Sequence, residues 1–176
     1  KPAKLDLTTA SARYRVKEQL VGVNFLSDAV GSTDKVTGTI VVMPNGSFGP
    51  QSKLTVDMKS LNSDQEMRDG YIRARVLDAE KFPTLEFVPT SGLTANVPSQ
   101  PTAQAIGFKM TGNLTMHGVT HPVTMDVTYN KSGLHLSKKY TIDGFTAKGK
   151  LKRTDFGMKA FIPWIGEEVE FVIQFE

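Results

Sequence analysis

Alternation of apolar and polar residues with a period of two runs through most of this chain and limits the folds open to it. Leu54, Val56 and Met58 alternate with polar neighbours, and the chain ends with a similar pattern at 169–175. Successive side chains of a strand point to opposite faces, so this period predicts half-buried β-strands. The same pattern predicts strands at residues 21–25, 36–42, 85–87, 108–116, 123–129 and 145–151.

The predicted fold class is all-β, with one antiparallel sheet. A charged stretch at residues 65–70, which Ser63 or Asp64 can cap and Gly70 ends, predicts a single short helix. One short helix cannot cover the apolar face of so many strands, so the sheet must close on itself or pack on a second sheet. A barrel of roughly eight strands has an interior that side chains fill or that holds a small ligand.

The residues assigned to the inner face favour a cavity but leave a filled core open. Methionine is flexible and adapts to irregular space, while glycine and alanine leave room beside a sheet. A core of packed side chains is the more common use of these residue types, so both interpretations stand at this point. The inward residues concerned are Met58, Met110, Met116, Met125, Gly112, Ala147 and Gly149.

Composition excludes several functional classes. A hydrophobic fraction of 39% and a charged fraction of 22% are typical of a globular chain, and we expect residues 1–176 to form one domain. The net charge of +3 comes from basic and acidic residues scattered along the chain, which argues against a nucleic-acid partner. There is no cysteine, and no apolar run is long enough for a helix that spans a membrane.

Four motifs in this order resemble the YceI family, whose members are lipocalin-like barrels that bind polyisoprenoids and related lipids. Tyr71 stands where the family usually has His, and Ile72 where it usually has Leu. The motifs are Arg-Asp-Gly-Tyr-Ile-Arg at 68–73, Phe-Pro-Thr-Leu-Glu-Phe at 82–87, the hairpin at 112–123, and Arg-Thr-Asp-Phe-Gly-Met at 153–158.

The resemblance implies an extended antiparallel lipocalin-like β-barrel and a binding function without catalysis. The implied ligand is a long amphipathic lipid, namely a polyisoprenoid, an isoprenoid quinone or a fatty-acyl compound, held for carriage, storage or sequestration. No cofactor other than this bound lipid is expected. A periplasmic or secreted location is also expected, and a start at Lys1 without Met fits it, although a trimmed chain would begin in the same way.

The candidate site consists of a cavity lining and a headgroup region. Tyr71 and Arg153 are the candidates for the headgroup region, since a guanidinium suits a phosphate or carboxylate. For Arg153, an ion pair with Asp155 or Asp69 is the favoured alternative, and for Arg68 with Asp69 a solvated helix surface is expected. The predicted lining residues are Phe25, Ile40, Val56, Met58, Phe87, Phe108, Met110, Leu114, Met116, Met125, Val127, Phe156 and Trp164.

Two further features have competing interpretations. His117 and His121 have a spacing that invites a metal, but on a hairpin loop it does not bring both rings to one side, so exposed loop residues and no metal site are predicted. Trp164, within an apolar stretch at 161–165, is interpreted as a flap at the barrel mouth, a homodimer contact or core.

Three other functions stay open. The chain could be an enzyme that acts on a lipid, although no nucleophile elbow or phosphate loop is present. It could be a small barrel with a structural or interaction role. It could also be an outer-membrane barrel, but about eight strands leave little room for the polar lumen that this requires.

Overall fold

The computed structural model describes residues 2–19, 26–91, 106–134, 141–162 and 164–176. Within these ranges ten strands form one antiparallel sheet with the order β1-β4-β5-β6-β7-β8-β9-β10-β2-β3. The strands are β1 (Ala3–Asp6), β2 (Ala10–Gln19), β3 (Leu26–Thr33), β4 (Val36–Val42), β5 (Lys53–Asp57), β6 (Thr84–Pro89), β7 (Ile106–Met116), β8 (Val119–Leu134), β9 (Thr141–Lys152) and β10 (Ile165–Phe175).

The connection between β3 and β4 shows that the sheet curls round. β3 forms one edge of the sheet, while β4 is the second strand from the other edge. Only Asp34 and Lys35 separate the two strands in the chain. Two residues cannot span a flat ten-stranded sheet, whose neighbouring strands lie about 4.8 Å apart. The two edges are therefore brought close together, and an isolated bridge from Ser32 to Asn62 adds a contact across the gap.

This architecture confirms the predicted all-β barrel class, with ten strands where roughly eight were expected. The periodic segments from 36–42 to 169–175 lie in strands, except that Met58 begins a 3₁₀ turn, Met58–Ser60, directly after β5. The strand predicted at 21–25 falls outside the described residues. β1, β2 and β3 were not predicted. In β2 the large residues Tyr14 and Val16 alternate with charged neighbours, but other inward positions of β2 and β3 carry small or polar residues, such as Ala12, Glu18 and Ala29, which weaken the pattern.

One helical segment, residues 66–76, interrupts the strands between β5 and β6. It begins as α1 (Glu66–Tyr71), close to the predicted position, and continues directly into a π-helical turn at Ile72–Val76. Gly70 lies inside α1 and does not end it, since Gly only lowers helix stability there. Ile72 and Val76 of this segment are buried, so the helix places an apolar side against the inside of the sheet.

Candidate functional site

A cavity lies between the inner face of the sheet and the helical segment. Its volume is about 140 Å³ and only apolar atoms are exposed to it. Strands β2, β5, β6, β7, β8, β9 and β10 contribute to its wall, together with the turns after β5 and β9. The helical segment closes one side of the cavity with Ile72, Val76 and its C-terminal cap, Leu77. Water gains no hydrogen bonds in such a space, so the site favours an apolar ligand.

Six of the predicted lining residues line this cavity. Five others are buried in the core but do not line it, so they pack around the site. Trp164 is 58% exposed, outside the lining, and Phe25 lies outside the described residues. The six are Val56, Met58, Phe87, Leu114, Met116 and Met125, and the five are Ile40, Phe108, Met110, Val127 and Phe156. Contact with a ligand stays a prediction for all of them.

Much of the wall comes from regions that the sequence analysis did not assign to it. In β2, Ala12, Tyr14 and Val16 face the cavity, and their spacing of two is a signal that could have identified them. Ile72 and Val76 are one helical turn apart, so their side chains lie on one side of the segment. Further lining residues are Leu61, Leu85, Val123, Leu151, Met158, Ile165, Val169, Phe171 and Ile173.

The glycines do not leave the space that was predicted beside the sheet. A Cβ at Gly112 would collide with the Phe87 ring, and a Cβ at Gly149 would lie 2.5 Å from Cζ of Phe171. Each glycine thus makes room for an aromatic ring of the neighbouring strand. The size of the cavity therefore depends on its aliphatic and methionine side chains, not on the glycines.

A buried charged cluster, defined here as Glu18, Arg68, Asp69 and Ser63, joins the helical segment to β2. Arg68 donates from Nη1 to Oε1 of Glu18 at 2.7 Å and from Nη2 to Oγ of Ser63 at 2.8 Å. Arg68 Nη2 also bonds the exposed Asp64 at 2.7 Å. Asp69, only 4% exposed, accepts a bond from the backbone N–H of Ser63. The expected solvated surface for Arg68 and Asp69 is wrong, because both side chains turn inward to these partners.

Tyr14 lies next to this cluster and lines the cavity. Burial, followed by the negative charge of Asp69, raises the pKa of Tyr14 to about 12. The neighbouring charges of Arg68 and Arg73 act in the opposite direction. Tyr14 is thus a neutral phenol at the cavity wall at any ordinary pH.

The headgroup candidates lie in different environments. Tyr71 is 56% exposed and contacts the Phe161 ring at 5.9 Å between centroids, outside the cavity wall. Arg153 lines the cavity but is only 3% exposed. Its guanidinium donates to four backbone carbonyls, at distances from 2.8 to 3.2 Å, and burial lowers its pKa below the ordinary value. The four acceptors are the carbonyl oxygens of Met158, Ala160, Ile165 and Gly166.

Arg153 therefore anchors the turn before β10. Salt bridges in the described part of the chain do not include the predicted pair of Arg153 with Asp155 or Asp69. A headgroup role for Arg153 stays a prediction, but most of its donors already have partners.

The two histidines were expected to be exposed loop residues, and this is correct only for the turn position of His117, since both side chains are half-buried and His121 lies in β8. His117 and Gly118 form the tight turn between β7 and β8, with φ of 55° and 73°. The Nδ1 atom of His117 lies 3.0 Å from the carbonyl oxygen of Phe156, while His121 lies in β8 with its ring against the Phe156 ring. Among the described residues, no group of three or more His, Asp or Glu side chains could hold a metal ion.

Comparison with known proteins gives relatives for the whole fold. A UPF0312 protein of Pseudomonas putida strain F1 is 40% identical over 114 residues, which cover 61% of this chain and 53% of that protein. The match thus spans about half the length of that relative. Protein YceI of Salmonella arizonae is 27% identical over 176 residues, covering 98% of this chain and 84% of the relative.

Solved structures show the same fold at low sequence identity. A polyisoprenoid-binding domain from Saccharophagus degradans, implicated in plant cell wall breakdown, superposes with a TM-score of 0.68 at 14% identity, covering 100% of this chain and 99% of that one. Burkholderia cenocepacia BcnA gives a TM-score of 0.67 at 20% identity, with 94% of each chain covered. The YceI-like domain profile matches residues 4–176, so the chain belongs to the family of YceI-like domains.

Proposed function

We propose that this protein binds a long-chain amphipathic lipid, with its apolar chain in the cavity, and does not convert it chemically. The lipid classes are polyisoprenoids, isoprenoid quinones and fatty-acyl compounds, and the role is carriage, storage or sequestration. The observation that carries the proposal is a cavity that exposes only apolar atoms and is lined by a curled sheet and a helical segment. The polyisoprenoid-binding domain from Saccharophagus degradans shares this fold, which supports a prenyl chain among the three classes.

Solvent exclusion is the physical basis of the proposed binding. Each methylene group that leaves water contributes about 0.8 kcal/mol, so a chain needs no strong polar contact to be held. Four methionines of the wall, Met58, Met116, Met125 and Met158, can change rotamer to fit different chains. We therefore expect loose selectivity for the tail.

The size of the cavity sets a condition on this function. At about 140 Å³ it is smaller than the roughly 300–1,000 Å³ of typical small-molecule pockets. An engineered apolar cavity of about 150 Å³ in another protein holds benzene. A long chain would thus require the cavity to enlarge, either by movement of the methionines or by displacement of the helical segment.

Organic extraction and mass spectrometry of the purified protein would test the proposal directly. We expect a co-purifying prenyl or acyl lipid, or uptake of added geranylgeraniol or palmitate by lipid-free protein, with the lipid recovered unchanged. Chemical conversion of the added lipid would favour an enzyme. Lipid-free protein that takes up neither compound would contradict the proposal.

A matched pair of variants in β7 locates the ligand. Leu114 and Met110 are equally buried, at 5% exposure each, but only Leu114 lines the cavity. Leu114→Phe should lower the affinity for geranylgeraniol by about tenfold or more, since overfilling costs roughly 1–3 kcal/mol. Met110→Phe should keep the affinity for geranylgeraniol within a few-fold of the wild-type value. Circular dichroism confirms that both variants are folded. Equal losses would place the ligand elsewhere.

The remaining features of the proposed role are predictions. In the described ranges no helix has the length and apolar character needed to cross a bilayer. A periplasmic or secreted location, the absence of a nucleic-acid partner and a homodimer contact are each open to test by fractionation, binding and sedimentation.

A further inference from the structure

Exposed apolar side chains concentrate in one place on this protein. Six large hydrophobic side chains are exposed in the described part of the chain. One of them, Val88, lies apart from the others in β6. The other five, Met67, Tyr71, Phe161, Ile162 and Trp164, are named here the rim patch. Scattered exposed apolar residues need no explanation, but a contiguous group of this kind marks an interaction surface.

Three contacts hold the two segments of the rim patch together. The rings of Tyr71 and Phe161 meet edge to face at 5.9 Å, which joins α1 to the turn before β10. The backbone N–H of Gln19 donates to the carbonyl of Trp164 at 2.8 Å. The preceding residue of β2, Glu18, binds Arg68 of α1. The end of β2 thus connects both segments, and the exposed side chains occupy one surface.

The turn presents its apolar residues in a fixed conformation. Phe161 has φ of 62°, a left-handed conformation that costs a non-glycine residue free energy. Its carbonyl accepts a bond from Ile165 N at 2.7 Å, and the guanidinium of Arg153 binds the carbonyl of Ala160 next to it. The fold therefore maintains a strained turn that exposes a phenyl ring and an indole instead of burying them.

Both segments of the rim patch are adjacent in the chain to residues that line the cavity. Tyr71 is exposed and the next residue, Ile72, lines the cavity. Trp164 is exposed and the next residue, Ile165, lines the cavity. Each exposed ring is thus followed in the chain by a residue whose side chain lines the cavity.

Charges beside the rim patch are balanced. Six exposed charged residues lie within four positions of the rim patch in the chain, and two of them, Asp64 and Glu168, form salt bridges with Arg68 and Lys150. The other four, Glu66, Arg75, Lys159 and Glu167, comprise two of each sign. Such a surface does not select a partner of strong opposite charge. It suits insertion of apolar groups into an uncharged or mixed medium.

We propose that the rim patch docks on the surface of a phospholipid bilayer, with Trp164 and Tyr71 at the level of the headgroups. Indole and phenol rings prefer this interface because they are apolar over most of their area and polar at one point. The choice of a bilayer over a protein partner rests on the proposed function, since a lipid held in the cavity must leave and enter a membrane. Docking through these two segments brings the bilayer to the parts of the chain that carry the cavity residues Ile72 and Ile165.

The single tryptophan of the chain makes this proposal directly measurable. Phosphatidylcholine vesicles are added to the protein, and the emission of Trp164 is recorded together with the fraction of protein that sediments with the vesicles. We expect a blue shift and co-sedimentation, because the indole leaves water. Addition of phosphatidylglycerol to the vesicles, or of sodium chloride to the buffer, should change the affinity by less than about threefold, because charge contributes little.

Two variants form a matched comparison. Ile162 and Val88 are equally exposed, at 39% and 38%, and neither lines the cavity. Ile162→Asp places a charge in the rim patch and should weaken vesicle binding by about tenfold or more, as charged groups are costly at an apolar membrane contact. Val88→Asp should bind vesicles like the wild type. Uptake of geranylgeraniol by both variants from detergent-free solution should match the wild type.

The outcomes separate this proposal from the proposed function. Normal lipid uptake without vesicle binding would overturn bilayer docking alone, and vesicle binding without uptake would overturn the cavity function alone. A blue shift that depends on protein concentration without vesicles would assign the rim patch to a second copy of the chain. Equal loss in Val88→Asp, or loss of binding in high salt, would also refute the proposal.

Discussion

Arg153 and Arg68 are both largely buried beside the cavity, yet they bind different kinds of partner. Arg153 donates to backbone carbonyls of the turn before β10 and of the first two residues of β10, the nearest of them at 2.8 Å. Arg68 binds side chains of Glu18, Ser63 and Asp64. Arg153 can leave its place only if its bonds to four carbonyls break together, whereas each Arg68 bond can break when Glu18, Ser63 or Asp64 rotates away. The comparison indicates that the Arg153 side is a fixed wall and the Arg68 side is the separable one.

The separable side is the one that could enlarge the cavity. Besides the Arg68 contacts, the helical segment is held by Arg73, which donates to the carbonyl of Leu61 and to the side chain of Asn62. Apolar contacts of Ile72, Val76 and Leu77 with the inside of the sheet add to these bonds. Arg68 Nε is buried and has no hydrogen-bond partner, which lowers the stability of this attachment. In Arg153, by contrast, Nε, Nη1 and Nη2 each donate to a backbone carbonyl.

The largest effect in this comparison is expected for Arg153→Met. Loss of the guanidinium leaves several buried carbonyls without donors, each at a cost of about 1–3 kcal/mol, so we expect a loss of about 4 kcal/mol in the free energy of unfolding. Urea denaturation followed by circular dichroism measures this. Lys148→Met on the exposed face of β9 is the control and should stay within about 0.5 kcal/mol. A small effect of Arg153→Met would mean that Arg153 is not an anchor and has donors free for a headgroup.

The fate of the two arginines shows what the sequence could and could not reveal. The alternation of Leu54, Val56 and Met58 predicted both a strand and its buried face, because a period of two leaves no other assignment. The acceptors of Arg153 could not be predicted, since they are backbone carbonyls of a turn that no side-chain pattern encodes. The inward rotation of Arg68 depends on Glu18, 50 positions away in the chain, within a strand that was not predicted.

The residues that line the cavity were predicted only in part, for a similar reason. Leu114 and Met110 have the same parity in β7, and both are buried as predicted. Parity identifies the inner face, but only the path of the helical segment decides which inner residues face an open space. The glycine prediction was wrong for a similar reason, because the rings that cover Gly112 and Gly149 belong to neighbouring strands.

An intermediate effect is expected for Arg68→Met. Its removal leaves the carboxylate of Glu18 buried without its partner, but Asp64 at the other end of the cluster is exposed, so we expect a loss of about 2 kcal/mol. The double variant Arg68→Met with Glu18→Leu should recover most of that loss, since an apolar pair needs no partner. A double-mutant cycle by urea denaturation measures the coupling. Additive losses would show that the two side chains do not act as a pair.

The Arg68→Met variant also tests which side moves. If the helical segment is the separable part, release of bound geranylgeraniol should be faster in Arg68→Met than in the wild type. Stopped-flow transfer to an excess of vesicles measures the rate. Unchanged release at reduced stability would place the moving part elsewhere.

The smallest effect on stability is expected for Tyr14. The pKa of this residue reports on whether the helical segment that carries Arg68 lies against the sheet. The pKa of Tyr14 is raised from 10.0 to about 12 in the folded protein, first by burial and then by Asp69. Between these values the unfolded chain releases a proton that the folded chain retains, so this contribution to stability is complete below pH 10 and is lost as the pH rises towards 12. Tyr14→Phe lacks this contribution. The free energy of unfolding of the variant, measured by urea denaturation, should therefore rise relative to that of the wild type as the pH increases from 10 towards 12.

Titration of Tyr14 in the Arg68→Met background then decides between two states of the helical segment. Arg68 lowers the pKa of Tyr14, so its removal from a segment that stays in place should raise that pKa further. If the segment swings away, Tyr14 loses both its burial and its proximity to Asp69, and its pKa should fall towards the ordinary value of about 10. Ultraviolet absorbance of each protein minus its Tyr14→Phe counterpart isolates the phenol. A fall would identify the Arg68 side as the part that opens, and a rise would mean that the cavity enlarges by rearrangement of its methionines.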